Sequence, residues 1–180
     1  MALPRVLRHL MSTRLGARRR FPARTLDAIE AAVRRAERSH QGEIRVVIEV
    51  ALPAWRLLAG LTPRARALEL FAALHVWDTA HDNGVLLYVE LADRVVEIVA
   101  DRGLNGRVSP AEWQQVCQRM EASYRVGDFA SGTTAGVDAI GALLARHFPQ
   151  GAADGLARGA AQGLAEGTAA NELPDRPTLL

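Results

Sequence analysis

Asp82 to Gly103 reads DNGVLLYVELADRVVEIVADRG, and its two apolar runs decide the fold. Asp82-Asn83-Gly84 is a turn signal, and Val85 to Leu91 and Arg94 to Val99 read as strands rich in β-branched residues. Only Ala92 and Asp93 separate them, a connection too short for anything but an antiparallel hairpin. With those two residues as the turn, Leu91 opposes Arg94, Gly84 opposes Asp101, and Asn83 lies across from Arg102.

Upstream, Glu43 to Val50 is a further β-branched strand. A helix opened by Thr62-Pro63 lies between it and the hairpin, with proline where the missing N–H costs nothing and Leu68, Phe71 and Leu74 as its apolar stripe. A strand, helix, strand sequence predicts a right-handed parallel crossover, which puts Glu43 on the same sheet edge as Gly84. Thr25 to His40 reads as a helix with Thr25 as its cap, and Pro53 to Gly60 as a loop. Ser109-Pro110-Ala111-Glu112 is a capping box, and Trp113, Val116, Cys117, Met120 and Tyr124 follow at helical spacing. A last helix runs from Ser131 to His147. The order α-β-α-β-β-α-α predicts a three-layer α/β/α sandwich with a mixed central sheet.

The 180 residues suffice for one domain with tails: an Arg-rich arm at 1–24, the α/β domain at 25–148, and a tail at 149–180. That tail divides into a flexible Gly/Ala linker over 151–170 and a more distinctive peptide, Asn171 to Leu180, suited to docking or recruitment. All 22 basic residues are arginine, and the net charge of +2 implies no specific nucleic-acid binding. Arg5, Arg8, Arg14, Arg18, Arg19, Arg20 and Arg24 precede the first long helix with no acidic residue among them. Two readings stand for this arm: a disordered tail, or a weak amphipathic helix with Leu3, Val6, Leu7, Leu10, Met11 and Leu15 that touches a protein partner or lipid headgroups. No run is apolar enough for a secretory leader or a membrane span, so the expectation is a cytoplasmic protein, peripheral to the inner face of the membrane where it meets one.

Several chemistries are excluded. One cysteine and five scattered histidines build no structural zinc site. Cys117 lies on an apolar helix face, where a thiol packs rather than reacts. Neither a Walker-type phosphate loop nor a Gly-x-Ser-x-Gly elbow is present.

The hairpin register instead gathers Glu43, Asp78, Asp82, Asn83, Asp101 and Arg102 at one sheet edge. Asp78, Asp82 and Asp101 offer the hard oxygens that suit Ca²⁺ or Mg²⁺; a turn, a strand terminator and a salt bridge explain the same residues without an ion. Ligands of open α/β sheets favour the opposite edge, here the Ala51 to Gly60 loop and Glu90. Glu97 needs a partner, for which Arg45 on the neighbouring strand is the expected choice, and Trp77 is expected to finish the core.

Gly42-Glu43-Ile44-Arg45, Arg64-x-Arg66-Ala67, Val76-Trp77-Asp78-Thr79, Asn83-Gly84-Val85-Leu86 and Val99-Ala100-Asp101-Arg102-Gly103 together resemble the TPM-domain family, also called thylakoid acid phosphatase-like. The resemblance covers about residues 25 to 148 and extends to the terminal Asn-Glu-Leu-Pro-Asp-Arg-Pro. It implies an α/β/α sandwich, a calcium site and, for some members, acid phosphatase activity; other members resemble accessory proteins of membrane complexes. Many members carry a leader, a membrane anchor and an acidic loop near the start, and the arm here shows none of these. Two functions follow: a non-catalytic binding or accessory module, which is favoured because no nucleophile–base pair can be named, and a metal-assisted phosphatase using Asp78, Asp82 and Asp101 with Arg102 on the phosphate.

Overall fold

The computed structural model describes residues 2–149 and 171–180, so the expected linker over 151–170 lies outside the described residues. In chain order the elements are α1 (Ala2–Met11), α2 (Arg14–Arg20), α3 (Ala23–Glu37), β1 (Glu43–Glu49), α4 (Ala54–Leu58) and α5 (Pro63–Ala73), followed by β2 (Gly84–Glu90) and β3 (Val95–Ala100). A short 3₁₀ turn at Arg102–Leu104, α6 (Pro110–Arg125), α7 (Phe129–His147) and β4 (Thr178–Leu179) complete them.

The sheet order is β3-β2-β1-β4, with β2, β1 and β4 parallel and β3 antiparallel, which is the mixed sheet expected. Helices α3, α6 and α7 pack together on one face over Ile44, Val46, Ile48, Val85, Leu87 and Val89. Helix α5 covers the other face through Ala67 and Leu70, against Val47, Leu86, Tyr88 and Val99. Strands β1 and β2 are buried along their whole length, which is why their sequences run apolar instead of alternating.

The hairpin has the expected register, with Val85 opposite Ala100, and the Asp101 N–H continues it by donating to the Gly84 carbonyl at 2.9 Å. The turn is wider than two residues, because pairing stops at Glu90 and Val95. Glu43 pairs with Gly84 in parallel, as the crossover requires. Thr62 caps α5 by accepting from the Ala65 N–H, and Ser109 and Glu112 form a reciprocal capping box on α6. Thr25 does not cap: α3 begins at Ala23 after Pro22, and Thr25 is buried in its first turn.

Two elements arise where a loop and a docking or recruiting peptide were expected. The Pro53 to Gly60 loop contains the single-turn helix α4. The terminal peptide docks on its own domain, where Arg45 donates to the Pro174 carbonyl at 2.6 Å, to the Arg176 carbonyl at 3.1 Å and to the Thr178 hydroxyl. Arg34 pairs with Asp175 at 2.9 Å, Arg176 reaches Asp27 and Glu30, and Leu173 enters the α5-side core. Arg45 is thereby occupied, and Glu97 turns to Arg64 on α5 at 3.6 Å.

Gly84 is fixed by packing. A Cβ there would lie 1.9 Å from the Val76 carbonyl oxygen, a backbone atom that cannot swing away. Gly84→Ala is expected to destabilise the domain by about 3 kcal/mol, at the upper end of overpacking costs, as measured by denaturant unfolding.

Burial holds the Glu37 carboxyl far above the usual range, at about 8, with Glu43 and Asp175 adding repulsion to its charged form. A carboxyl raised on folding contributes stability that is complete below about pH 4 and lost as the pH rises through about 8. Protection of residues 171–180 from hydrogen exchange should therefore fall between pH 6 and 8, and Glu37→Gln should flatten that fall. A pH-independent wild-type profile would contradict it.

Candidate functional site

The edge singled out by the sequence holds hydrogen bonds and an ion pair. Asp82, at a left-handed φ of 53°, turns the chain so that its carbonyl accepts from the Gly103 N–H at 2.8 Å. Its carboxylate pairs with Arg102 at 2.7 Å, which holds the acid below its ordinary value. Asp101 accepts from the Arg102 N–H at 2.7 Å through Oδ1, and its Oδ2 is buried without a partner. Asn83 is buried, taking Thr79 Oγ1 as acceptor for its N–H at 3.1 Å and donating its amide to the Gln41 carbonyl at 2.9 Å. Glu43 accepts from the Leu173 N–H at 3.3 Å beneath the terminal peptide, and burial raises its carboxyl.

Gly84, Asp101 and Arg102 are thus neighbours, with Asn83 and Glu43 close by in the register. Asp78 is exposed, and Trp77 beside it is half exposed at 48%, near the His75 ring, instead of finishing the core. Asp78, Asp82 and Asp101 are not brought together as a set of three with ligand atoms within 4.8 Å of one another. Among the described residues, the one set of three His, Cys, Asp or Glu side chains with ligand atoms within 4.8 Å of one another lies elsewhere. The guanidinium of Arg102 already occupies Asp82.

That other set is His9, Glu90 and Asp93, at the carboxyl end of β2. Glu90 has no exposed surface, and its two oxygens accept from the Ala92 N–H at 2.7 Å and the Asp93 N–H at 3.0 Å. Burial, with the neighbouring Asp93 charge, lifts its carboxyl to about 7. Burial also pulls the Asp93 carboxyl upward, but Arg5 and His9 overcome it and leave the group below its ordinary value. Arg5 and Arg8 both pair with Asp93, and His9 Nε2 approaches Asp93 at 3.2 Å and Glu90 at 3.8 Å.

The Leu52 N–H donates to His9 Nδ1 at 2.9 Å. That contact leaves the imidazole proton on Nε2, facing the two carboxylates. A metal-bound histidine needs the reverse: a lone pair on the ligating nitrogen and an N–H on the other, donated outward. The cluster is therefore a clasp, not a metal centre.

The clasp turns α1 inside out. Arg5, Arg8 and His9, spaced i, i+3, i+4, face the acidic pair. Leu7, Leu10 and Met11, at the same spacing, face solvent, and with Leu15 of α2 they are 58–73% exposed. Trp55 and Leu58 of α4, which packs against α1, are exposed as well. The sequence showed the amphipathic arm but gave no reason for its charged face to point inward. The available signal was Glu90-x-x-Asp93 at a strand end, which demands buried cations.

An α/β/α sandwich with a parallel crossover and a central β2–β3 hairpin defines the class. The TPM domain model matches residues 20–143, and the chain belongs to that family. Among solved structures, the BA42 protein from the psychrophilic bacterium Bizionia argentinensis is similar at 29% identity and a TM-score of 0.69, covering 87% of this chain and 93% of that one. No curated protein matches. Arg5, Arg8 and His9 precede the residues matched to the family, whereas Glu90 and Asp93 lie within them.

Replacing His9 by alanine strands the Leu52 N–H and weakens the neutralisation of Asp93, a loss of about 2 kcal/mol for a buried polar network. In His9→Ala, limited trypsin digestion should cut at Arg14 and Arg18 many times faster than in wild type, while the 25–148 fragment stays resistant. Equal cleavage rates would remove the clasp from this account.

Proposed function

We propose that this TPM domain is a non-catalytic docking module that rests on an anionic membrane surface through α1, α2 and α4. The supporting observation is the polarity of α1, on which Arg5, Arg8 and His9 turn toward Asp93 while Leu7, Leu10 and Met11 point outward. Leu15 extends that row, and the exposed Arg14, Arg18 and Arg19 flank it with no ion pair among the described residues. Tryptophan suits the membrane–water boundary, and Trp55 stands exposed beside the same helix.

The magnitudes fit reversible binding. Burying the open parts of four Leu- or Met-sized side chains is worth about 1–2 kcal/mol each, and each arginine near an anionic surface adds about 1 kcal/mol. Neither contribution alone offsets the cost of association, so both the apolar row and the arginines are needed. No helix among the described residues is long and apolar enough to cross a membrane, so contact through this face would be peripheral. The inner leaflet, anionic and facing the cytoplasm, is the surface such a charge pattern suits.

The phosphatase alternative draws less support. Asp82 is held by Arg102, and burial pushes the Cys117 thiol up to about 12, where it is not a nucleophile near neutral pH.

Co-sedimentation of the full chain with vesicles tests the proposal. Binding is expected to phosphatidylcholine mixed with phosphatidylglycerol but not to phosphatidylcholine alone, and to weaken at high salt. Leu10→Glu with Met11→Glu, and separately Arg18→Glu with Arg19→Glu, should each weaken binding by about tenfold or more while circular dichroism stays unchanged. Wild-type binding that ignores lipid charge, or variants that bind as wild type does, would reject it.

A further inference from the structure

The clasp leaves a cleft beside it that neither the fold nor the docking face accounts for. A cavity of about 670 Å³ opens between α1, α2 and the β2–β3 turn, bordered by Val50 and Leu91. It therefore lies just beyond the carboxyl ends of the parallel strands β1 and β2, where open α/β sheets place their ligands. Its charged lining is three guanidiniums, Arg8, Arg20 and Arg94, against one carboxylate, Asp93, a surplus of +2.

Resting on the membrane reading above, we propose that this cleft binds a phosphomonoester group, presented by the headgroup of an anionic phospholipid. A phosphomonoester carries nearly two negative charges and three acceptor oxygens near neutral pH, which matches the surplus and the guanidinium donors of the lining. Asp93 does not repel it, because Arg5 and Arg8 already neutralise that carboxylate. Arg20 is steadied by the Phe129 ring, 5.2 Å from its guanidinium carbon. Arg94 has no ion pair among the described residues, and it occupies a left-handed φ of 58° at the hairpin turn, a position at which glycine or asparagine is the ordinary choice. The Thr13 hydroxyl accepts from the Gly16 N–H, which leaves its own proton free to donate into the cleft.

The apolar part of the lining assigns the source. Leu7 and Met11 border the cleft and belong to the exposed row of α1, so its mouth is continuous with the docking face. A headgroup phosphate seated among the arginines leaves its glycerol and acyl portion against that row. A soluble metabolite would leave the row uncovered.

The test compares vesicles containing phosphatidic acid with vesicles containing phosphatidylglycerol at matched surface charge, using the full chain. Roughly tenfold tighter binding to phosphatidic acid is expected, the worth of about one charge-assisted hydrogen bond. Arg20→Ala and Arg94→Ala should each abolish that preference while weakening binding to phosphatidylglycerol by no more than about fivefold, the worth of one arginine at an anionic surface. Equal losses on both vesicles would overturn the site, because the arginines would then act only as bulk charge.

In parallel, glycerol 3-phosphate is titrated into ¹⁵N-labelled protein, with shifts expected at the amides of Ser12 to Gly16 and Arg94. Such shifts without a vesicle preference would overturn the lipid source in favour of a soluble phosphomonoester. If phosphatidylglycerol vesicles are not bound at all, the docking proposal fails, and the titration still decides the cleft.

Discussion

Glu90 sits with no exposed surface at the end of a fully buried strand, and satisfying that carboxylate organises one whole end of the molecule. Its oxygens take the first two N–H groups of the hairpin turn, which draws Asp93 in beside it. Two carboxylates so close cannot both stay charged in a dry site without cations. Arg5 and Arg8 provide them from a helix remote in sequence, and His9 turns its Nε2 N–H toward the same pair. The inward polarity of α1 follows from that demand. A ten-residue amphipathic helix cannot turn its charged face to the acidic pair without offering the other to the surroundings. The exposed apolar row is therefore a consequence of the acidic pair, not a local accident of the arm.

Side chains and the terminal peptide cover part of each side of the sheet. Glu121 of α6 accepts from the Val96 N–H at 3.2 Å, and Arg64 of α5 donates to the Ile98 carbonyl at 2.6 Å, so side chains occupy main-chain groups along the outer side of β3. On the far side, β4 pairs with β1 and is pinned by Arg45. Free sheet edges recruit other strands, and here the outer side of β3 and part of β1 are engaged within the chain. A partner is left with faces and clefts to recognise, which is where the exposed apolar residues and the arginines lie.

The legible parts of the sequence were those set by short-range chemistry. The hairpin register followed from two turn residues and the period of two, and the Ser109 and Thr62 caps from a proline beside a hydroxyl. The parallel crossover followed from chain handedness. What escaped was set by partners far away in sequence. β4 has two residues and little strand pattern of its own, and exists because Arg45 and Ile48 offer it groups to bond. α4 is five residues long, below any readable period. The Glu97 partner was misassigned because Arg45 and Arg64 are equivalent in composition, and only the docking of the terminal peptide removes the first from contention. The acidic edge was located correctly by register, but register says nothing about whether a neighbouring guanidinium will fill it.

The two ends of the sheet therefore carry different kinds of information. At the Gly84 end the chain packs so tightly that Val76 excludes even a methyl group, and Asp82 and Arg102 neutralise each other within the residues that define the TPM domain. At the Glu90 end, the domain contributes only the acidic pair, and the cations that answer it precede the family match. A domain of this family with a different leading segment could satisfy the same carboxylates in another way, or leave them to solvent. The inside-out helix thus lies before the residues matched to the family, while most of the sandwich beneath it lies within them.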